Sequence, residues 1–299
     1  MPLAPVELPY TEIAPPADLA PYVDRLWLRT TLRAPERVHR VLPDGCVDVI
    51  VDAARATAAL VGPMTRAIEI TDDPAEQVAV RFKPGTAAAL TGCGLAELAD
   101  ASVDLAALGL AGALADRVAS AAASTDALRL PARIPLSAIS HARLAELVGW
   151  LRQRLADAAP PDPRIARAVA LLSSAARPGV GTPTASPAGR EAAPPVGWTG
   201  EVRVDDVADA LGMTRQHLAR GFRREVGITP KQLARIARMQ RAAAALRRGG
   251  DLARLAAELG YFDQSHFSRE LRDLAGVTPA ALAAERPTVL SHLFGAPAP

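Results

Sequence analysis

Lysine is almost missing from this sequence of 299 residues, where Lys83 and Lys231 are the only lysines among 34 basic residues. Cysteine is equally scarce, because Cys46 and Cys93 are the only two. Two cysteines are too few for a disulfide framework or for a structural zinc site. A cupin-like metal site needs several histidines, and residues 1–150 contain only His39 and His141. The composition therefore predicts neither a bound metal nor another cofactor.

Long apolar segments are missing as well. The longest uncharged apolar run, Leu105 to Ala115, is too short to cross a bilayer. The first residues, MPLAPVELPYTEIAPP, contain acids and prolines and lack the basic-then-apolar pattern of a signal peptide. We therefore expect a cytoplasmic protein without a membrane partner. Arginine in place of lysine, together with abundant alanine, indicates a GC-rich bacterial genome.

Charge is distributed unevenly along the chain. The formal net charge is only +2, which by itself predicts no polyanionic partner. Residues 201–286 contain 15 Lys or Arg and 11 Asp or Glu, a net charge of +4, whereas the remaining residues contain 19 and 21, a net charge of −2. The basic excess is therefore concentrated in the last third of the chain.

That last third contains an internal repeat. His217, Leu218, Arg220, Gly227, Thr229 and Pro230 recur 49 positions later as His266, Phe267, Arg269, Gly276, Thr278 and Pro279. Before the turn the offset is 48, because Leu211-Gly212 recurs as Leu259-Gly260. Such a period indicates that one supersecondary unit is used twice.

Each copy has the pattern of a helix, a tight turn and a second helix. Val204, Val207, Ala208 and Leu211 have the spacing of one helix face, and Leu252, Leu255, Ala256 and Leu259 repeat it. Gly212 and Gly260 can end these helices, and Thr214 and Asp263 can cap the next ones. Thr229 and Gln232 fit a capping box at the start of a third helix.

The second helix of each copy has an apolar face and a polar face. The polar residues are Arg215, Gln216, Arg220, Arg223 and Arg224 in the first copy, and Gln264, Ser265, Ser268, Arg269 and Arg272 in the second. Such side chains bind base edges and phosphates. A solvated helix face without function is the alternative interpretation. Between the copies, Pro230 to Arg248 has no internal Gly or Pro and predicts a rod of roughly 28 Å, close to the length of one turn of DNA, about 34 Å.

Val204 to Glu285 resembles the DNA-binding domain of the AraC/XylS family of bacterial transcription regulators. The resemblance is carried by Leu211-Gly212, Leu218, Arg220, Gly227, Thr229-Pro230, Leu259-Gly260-Tyr261, Ser265-His266-Phe267, Ser268-Arg269 and Gly276-Val277-Thr278-Pro279. It implies base-reading positions at Gln216, Ala219, Arg220, Gln264, Ser265, Ser268 and Arg269. We assign phosphate contacts to Thr214, Arg215, His217, Arg223, Arg224, His266 and Arg272, with packing as the alternative for the two histidines. Ala219 cannot hydrogen-bond a base, and Gly221 weakens its helix by about 1 kcal/mol relative to alanine, so we expect weaker discrimination by the first copy.

The rest of the chain reads as a second, β-rich domain. Short apolar segments are separated by Pro43-Asp44-Gly45, Gly62-Pro63 and Lys83-Pro84-Gly85, which favours a small barrel or sandwich. We therefore expect an α+β protein, with a β-rich N-terminal domain bearing appended helices and an all-α C-terminal domain of two helix-turn-helix units joined by a long helix. We divide the chain into a β-rich sensor domain (1–100), a helical extension of it (101–177), a linker with five Pro and five Gly (178–200), a DNA-binding domain (201–286) and a tail (287–299).

Motifs of the first domain, LPDGCVDVIV and VRFKPGTAAALTG, also resemble the N-terminal region of a subgroup of that family. The resemblance implies sensing of a small molecule, dimerisation into a homodimer, or both, with double-stranded DNA and RNA polymerase as partners. Arg81 and Lys83 are candidates for an anionic effector, with a solvated edge strand as the alternative. A different hypothesis is a DNA-targeted enzyme or repair-type protein that uses Cys46 chemistry between Asp44 and Asp48, although a buried structural cysteine fits the same pattern.

Overall fold

A computed structural model describes residues 10–31, 38–71, 75–92, 94–122, 136–174, 203–249 and 251–285. The linker expected over 178–200 and the tail expected over 287–299 lie outside these ranges. Strands dominate the first 104 residues, and helices dominate the rest of the described chain. The predicted α+β class, with its β-rich first part and helical second part, is confirmed.

The N-terminal part contains two antiparallel sheets. The strands, numbered in chain order, are β1 Tyr10–Ile13, β2 Val23–Thr31, β3 Val38–Val41, β4 Val47–Asp52, β5 Thr57–Val61, β6 Ile68–Thr71, β7 Ala75–Phe82 and β8 Ser102–Asp104. Six of them form one sheet in the order β1-β2-β7-β4-β5-β8, whereas β3 and β6 pair with each other. The strand, turn and strand predicted around Pro43-Asp44-Gly45 are present, but β3 and β4 belong to different sheets.

The helices also follow the predicted order. In chain order they are α1 Ala88–Thr91, α2 Leu114–Ser120, α3 Ala138–Leu155, α4 Pro163–Ser174, α5 Val204–Ala210, α6 Arg215–Glu225, α7 Pro230–Arg247, α8 Leu252–Glu258, α9 Gln264–Ala275 and α10 Pro279–Ala284, with a short 3-10 helix at Leu95–Leu98. The apolar run that begins at Leu105 becomes helical only at Leu114, because Gly109 and Gly112 adopt positive φ angles and hold the preceding residues in turns. None of the helices within the described ranges combines the length and the apolar character that crossing a bilayer requires.

The six-stranded sheet buries its apolar face under α2 and α3. Leu26, Val49 and Val80 lie on this face and are fully buried in one cluster with Leu144, Leu147 and Leu151. Alternate residues of the same strands point to the opposite face, where Trp27 lies beside Ala79 and Ala79 beside Ile50. This second face carries most of the polar residues discussed below, because side chains alternate along a strand.

The repeat offsets agree with the helix boundaries. Helices α6 and α9 begin 49 residues apart, and α5 and α8 begin 48 residues apart. Helices α7 and α10 begin with Pro230 and Pro279, which follow the capping residues Thr229 and Thr278. The expected capping box of Thr229 and Gln232 is present. The two helix-turn-helix units therefore follow the repeat in the sequence.

Helix α4 packs with the C-terminal helices. Ile165, Ala168 and Leu172 of α4 share one apolar cluster with Leu218 and Phe222 of α6. The sequence assigned this helix to the extension over 101–177, and that division of the chain stays a prediction. The apolar side of α4, however, is buried against α5, α6 and α7, so its stability depends on them.

Helix α4 also explains Gly221. A Cβ placed on Gly221 would lie 2.3 Å from Cδ1 of Ile165 and 3.0 Å from its Cγ1. A side chain at position 221 would therefore force the buried Ile165 to move, and the close contact of α4 with α6 depends on the glycine. The glycine therefore has a packing role, and Ala219 alone remains as a reason to expect weaker discrimination by the first unit.

We predict that Gly221→Ala destabilises the protein although alanine is the better helix former. Overpacking costs about 1–3 kcal/mol, and the gain in helix propensity offsets about 1 kcal/mol of it. The matched control is Gly149→Ala in α3, where a Cβ meets nothing within 4 Å and stability should rise. Urea unfolding measures both variants. A rise in stability for Gly221→Ala, or no partial rescue by Ile165→Ala, would contradict the packing role.

Candidate nucleic-acid interface

Helix α6 presents the polar residues of the first unit. Its N-cap is Thr214, whose hydroxyl accepts a hydrogen bond of 3.1 Å from the backbone N–H of His217. Leu218 and Phe222 are fully buried, which fixes the rotation of the helix. Gln216 and Arg220 are consequently exposed, and Ala219 is half-buried. The predicted base-reading residues of this unit are therefore accessible to a large ligand.

Helix α9 repeats the arrangement. Its N-cap, Asp263, accepts a hydrogen bond of 2.6 Å from the backbone N–H of His266. Phe267 and Leu271 are fully buried, as their equivalents in α6 are. Gln264, Ser265 and Arg269 are exposed, and Ser268 is half-buried. Each unit thus exposes an arginine at the same repeat position on its second helix.

All of the predicted phosphate-contacting residues except His266 are exposed. They are Thr214, Arg215, His217, Arg223, Arg224 and Arg272. Arg215 lies 3.4 Å from Asp205, and Arg224 is held at 2.6 Å by Glu225. His266 is half-buried, with its ring edge-on to the Tyr261 ring at 5.3 Å. Packing therefore accounts for the position of the His266 ring.

A buried ionic network joins α7 to α9. Glu270 accepts hydrogen bonds from Arg238 Nε and Nη2, at 3.0 and 2.8 Å to Oε1, and from Arg235 Nε at 3.0 Å. The Tyr261 hydroxyl donates to the same carboxylate at 3.1 Å, and Arg238 lies over the Tyr261 ring at 4.4 Å. Arg238 and Glu270 are only 5 % and 6 % exposed. A carboxylate with this many donors holds the rotation and height of α9 against α7.

The two units use one repeat position in different ways. Gly221 and Glu270 are 49 positions apart and therefore equivalent. In the first unit, Ile165 of α4 packs directly on Gly221. In the second unit, Arg238 of α7 pairs with Glu270. In both units this position faces the helix that precedes the helix-turn-helix, so each structural repeat includes three helices.

The first domain has its own polar centre. The Arg81 guanidinium donates hydrogen bonds to both carboxylate oxygens of Asp48. The distances are 3.0 Å from Nε to Oδ1 and 2.9 Å from Nη2 to Oδ2. Asp44 Oδ2 lies 3.7 Å from Arg81 Nε, and the Asp44 Oδ1 accepts a bond of 2.8 Å from the backbone N–H of Cys46. Trp27 Nε1 donates to Asp48 at 3.2 Å. Arg81 thus lies together with Cys46, Asp44 and Asp48, which the sequence analysis treated as a separate candidate group.

Two atoms of this centre have unused hydrogen-bonding capacity. Within the described ranges, Asp44 Oδ2 and Arg81 Nη1 are buried and have no hydrogen-bond partner. Lys83 is not part of the centre, because it is exposed and its Nζ donates to the Ala20 carbonyl at 2.6 Å. Of the two candidate effector residues, only Arg81 lies in a polar cluster.

Burial controls the titration of this centre. Burial raises the pKa of the Asp44 carboxyl group, although Arg81 acts in the opposite direction. Burial and the neighbouring Asp44 raise the pKa of the Cys46 thiol well above its usual range. Burial alone would lower the pKa of Arg81, but Asp48 and Asp44 raise it well above normal. Arg81 is therefore charged at every physiological pH, and the Cys46 thiol stays protonated.

The Glu270 network and the aromatic residues of the polar face were not predicted from the sequence. Tyr10 and Trp27 lie with ring centroids 5.7 Å apart, next to the Asp48–Arg81 pair. The repeat does indicate that Glu270 is buried, because its equivalent in the first unit, Gly221, lies on the inward side of α6. No pattern in the sequence connects Trp27 to Asp48, which meet only through the sheet register. In the described part of the chain, no group of three potential ligands is arranged to hold a metal ion.

Two family models match separate parts of the chain. A helix-turn-helix domain model matches residues 207–285, and a domain of unknown function (DUF6597) matches residues 11–104. A search of curated protein sequences found no match. The helix-turn-helix match includes both predicted reading helices and the helix between them.

Solved structures of transcription regulators are similar to parts of this chain. The C-terminal domain of AraT, a response regulator from Geobacillus stearothermophilus, is 21 % identical over 42 % of this chain and 87 % of its own length, with a TM-score of 0.33. An AraC-type regulator from Chromobacterium violaceum is 22 % identical over 41 % of this chain and 90 % of its own, with a TM-score of 0.31. ToxT from Vibrio cholerae is 11 % identical over 87 % of this chain and 94 % of its own, with a TM-score of 0.37. TM-scores this low mean that the superpositions carry no argument about function.

We predict that Glu270→Gln destabilises the protein strongly. The substitution leaves Arg235 and Arg238 without their carboxylate, and removing one partner of a buried pair costs about 3–5 kcal/mol. Glu258→Gln is the matched control, because Glu258 pairs with Arg254 on the surface of α8 and should leave the unfolding midpoint unchanged. Thermal unfolding followed by circular dichroism measures both. Equal midpoints for the two variants would show that the network does not hold α9.

Proposed function

We propose that this chain, which carries an AraC-type helix-turn-helix domain in its C-terminal part, is a transcription regulator that binds specific sequences in double-stranded DNA. The observation that carries the proposal is the repeated exposure of polar residues on α6 and α9. Both helices are short and amphipathic, and each follows a tight turn from a partner helix. This arrangement is that of helices that enter the major groove of DNA.

The residues have distinct roles in this proposal. Gln216, Arg220, Gln264, Ser265, Ser268 and Arg269 read base edges, whereas Thr214, Arg215, His217, Arg223, Arg224, His266 and Arg272 contact phosphates. Arginine and glutamine can bind guanine and adenine through two hydrogen bonds each, so they discriminate between bases. Phosphate contacts position the protein and carry no sequence information.

We predict that Arg269→Ala weakens binding by about 1–3 kcal/mol and relaxes the preference at one half-site, whereas Arg272→Ala weakens binding to all sequences alike. The probe is a duplex enriched from a random pool by the wild-type chain, compared with a scrambled duplex in fluorescence anisotropy. Arg152→Ala is the control, because Arg152 pairs with Asp18 in the N-terminal part. Equal losses on enriched and scrambled DNA would leave Arg269 only a phosphate role.

The N-terminal domain is proposed to sense a small molecule at the polar face of the sheet. Buried charges are costly unless fully paired, and perturbed groups of this kind cluster at functional sites. Arg81 Nη1 can donate a hydrogen bond and Asp44 Oδ2 can accept one. A carboxamide or a similar group would satisfy both atoms. Tyr10 and Trp27 would contact an apolar or aromatic part of the same molecule.

The other proposed partners follow from the role in transcription. A regulator that acts at promoters meets RNA polymerase, and it acts where bacterial DNA is located, in the cytoplasm. A homodimer formed by the N-terminal domain stays a prediction. The alternative of an enzyme that uses Cys46 chemistry has little support, because the reactive form of cysteine is the thiolate. Cys46 is buried, and its raised pKa keeps the thiol protonated.

We predict that Trp27→Leu abolishes stabilisation by an effector. A ligand at 100 times its Kd raises the stability of the native state by about 2.7 kcal/mol, so a library of small amides can be screened by the unfolding midpoint of the full chain. Trp150→Leu is the matched control, since Trp150 is equally buried but lies in the core under the opposite face. Retention of the shift in Trp27→Leu, with its loss in Trp150→Leu, would place the site elsewhere.

A further inference from the structure

The N-terminal domain contacts both helix-turn-helix units and the helix between them. Its central contact is the loop Leu42–Cys46, hereafter the LPDGC loop. Leu42 is 1 % exposed and belongs to one apolar cluster with Met239, Ala243 and Leu246 of α7. The Pro43 carbonyl accepts a hydrogen bond of 2.6 Å from Gln240 Nε2, which is buried. A loop of the first domain is therefore part of the core of the second.

Gly45 allows the LPDGC loop to approach α7. Its φ angle is +75°, and a Cβ at this position would lie 2.8 Å from Cδ1 of Leu233. Asp44, the preceding residue, belongs to the polar centre with Arg81 and Asp48. Gly45 of the loop thus contacts α7, while the adjacent Asp44 belongs to the polar centre on the sheet.

The strand pair β3 and β6 contacts the second unit. Arg40 Nε binds Glu285 at 3.0 Å, and its Nη1 donates to the Ala275 carbonyl at 3.2 Å, at the end of α9. The Ala67 backbone N–H donates to the Leu274 carbonyl at 2.7 Å. These bonds connect the N-terminal domain to the C-terminal end of the second reading helix.

Other residues of the N-terminal domain contact the first unit. A Cβ placed on Gly227, just after α6, would lie 2.8 Å from the Leu95 carbonyl oxygen and 2.8 Å from Pro63 Cγ. A Cβ on Gly85 would lie 3.6 Å from Val226. The C-terminal end of the first reading helix therefore also packs against the N-terminal domain.

These contacts leave the reading faces free. Gln216 and Arg220 in the first unit, and Gln264, Ser265 and Arg269 in the second, are all exposed while the domains are in contact. The N-terminal domain meets both reading helices at their C-terminal ends, away from the N-terminal residues that contact bases. The residues proposed to read bases thus stay exposed while the two domains are in contact.

We infer that Arg40, Gln240 and the LPDGC loop are positioning residues, through which the N-terminal domain holds the two reading helices at one fixed spacing. The inference rests on the proposed function, because spacing matters only if both helices read one duplex. A domain that contacts both units and α7 restricts their relative motion. Two readers held at the right separation bind cooperatively, because binding of the first raises the effective concentration of the second.

The test uses the full chain and two duplexes. The two-site duplex is one enriched from a random pool by the wild-type chain, and the one-site duplex has one half-site scrambled. The loosened variant is Arg40→Ala with Gln240→Ala. Its matched control is Arg152→Ala with Gln77→Ala, which removes an ion pair with Asp18 and a bond to Asp52 inside the N-terminal part. Circular dichroism checks that each variant is folded.

We expect the loosened variant to lose affinity on the order of tenfold for the two-site duplex and less than about twofold for the one-site duplex. Base pairs inserted between the half-sites should weaken the variant less than the wild type. Arg40→Glu should show the same loss, and Glu285→Arg added to it should restore part of the affinity. These pairs of variants distinguish positioning from a general loss of stability.

Two results would overturn the inference. Affinities equal to the wild type on both duplexes would mean that the N-terminal domain does not influence spacing. Tighter binding of the loosened variant would mean that the contact inhibits DNA binding. Failure of the proposed function looks different, because the wild-type chain would then enrich no sequence from the random pool at all.

Discussion

Two short helices can read one DNA duplex together only if their separation matches the repeat of the major groove, about 34 Å. Under the proposed function, the helix between the two units meets that constraint. Helix α7 has 18 residues and separates the two units by a stiff element of roughly 27 Å. It starts with a capping box and a proline at the first helical position, so it begins at a fixed residue. A flexible connection of the same length would leave the spacing undefined.

A stiff helix is useful only if both readers are attached to it rigidly. Each reading helix is attached through the same repeat position, by apolar packing in the first unit and by ion pairs in the second. Gly221 lets Ile165 of α4 pack against the first reading helix, and Glu270 binds Arg235 and Arg238 of α7 at the second. The apolar contact depends on close packing, whereas the ionic one depends on complete pairing of buried charges. The LPDGC loop adds a third attachment, which also connects α7 to the buried Asp44, Asp48 and Arg81. A molecule that binds this polar face would therefore lie next to the contact between the LPDGC loop and α7.

Much of this architecture follows from local patterns in the sequence. The repeat offsets, the capping residues and the helix faces are short-range features, and they predicted the two helix-turn-helix units and the long helix between them. The partners of α4, the Arg238–Glu270 pair and the meeting of Trp27 with Asp48 could not be found this way. They depend on contacts between residues far apart in the chain, such as Ile165 with Gly221 or Pro43 with Gln240. Gly221 is an example. Helix propensity alone predicts that this glycine destabilises α6, whereas the structure shows that Ile165 packs against it.

The central claim is that one chain places two reading helices on successive major grooves of one face of DNA. Hydroxyl-radical footprinting of the full chain on an enriched duplex tests this claim most directly. Two protected segments are expected, with centres about 10 base pairs apart on the same face of the duplex. A single protected segment, or two segments on opposite faces, would contradict it.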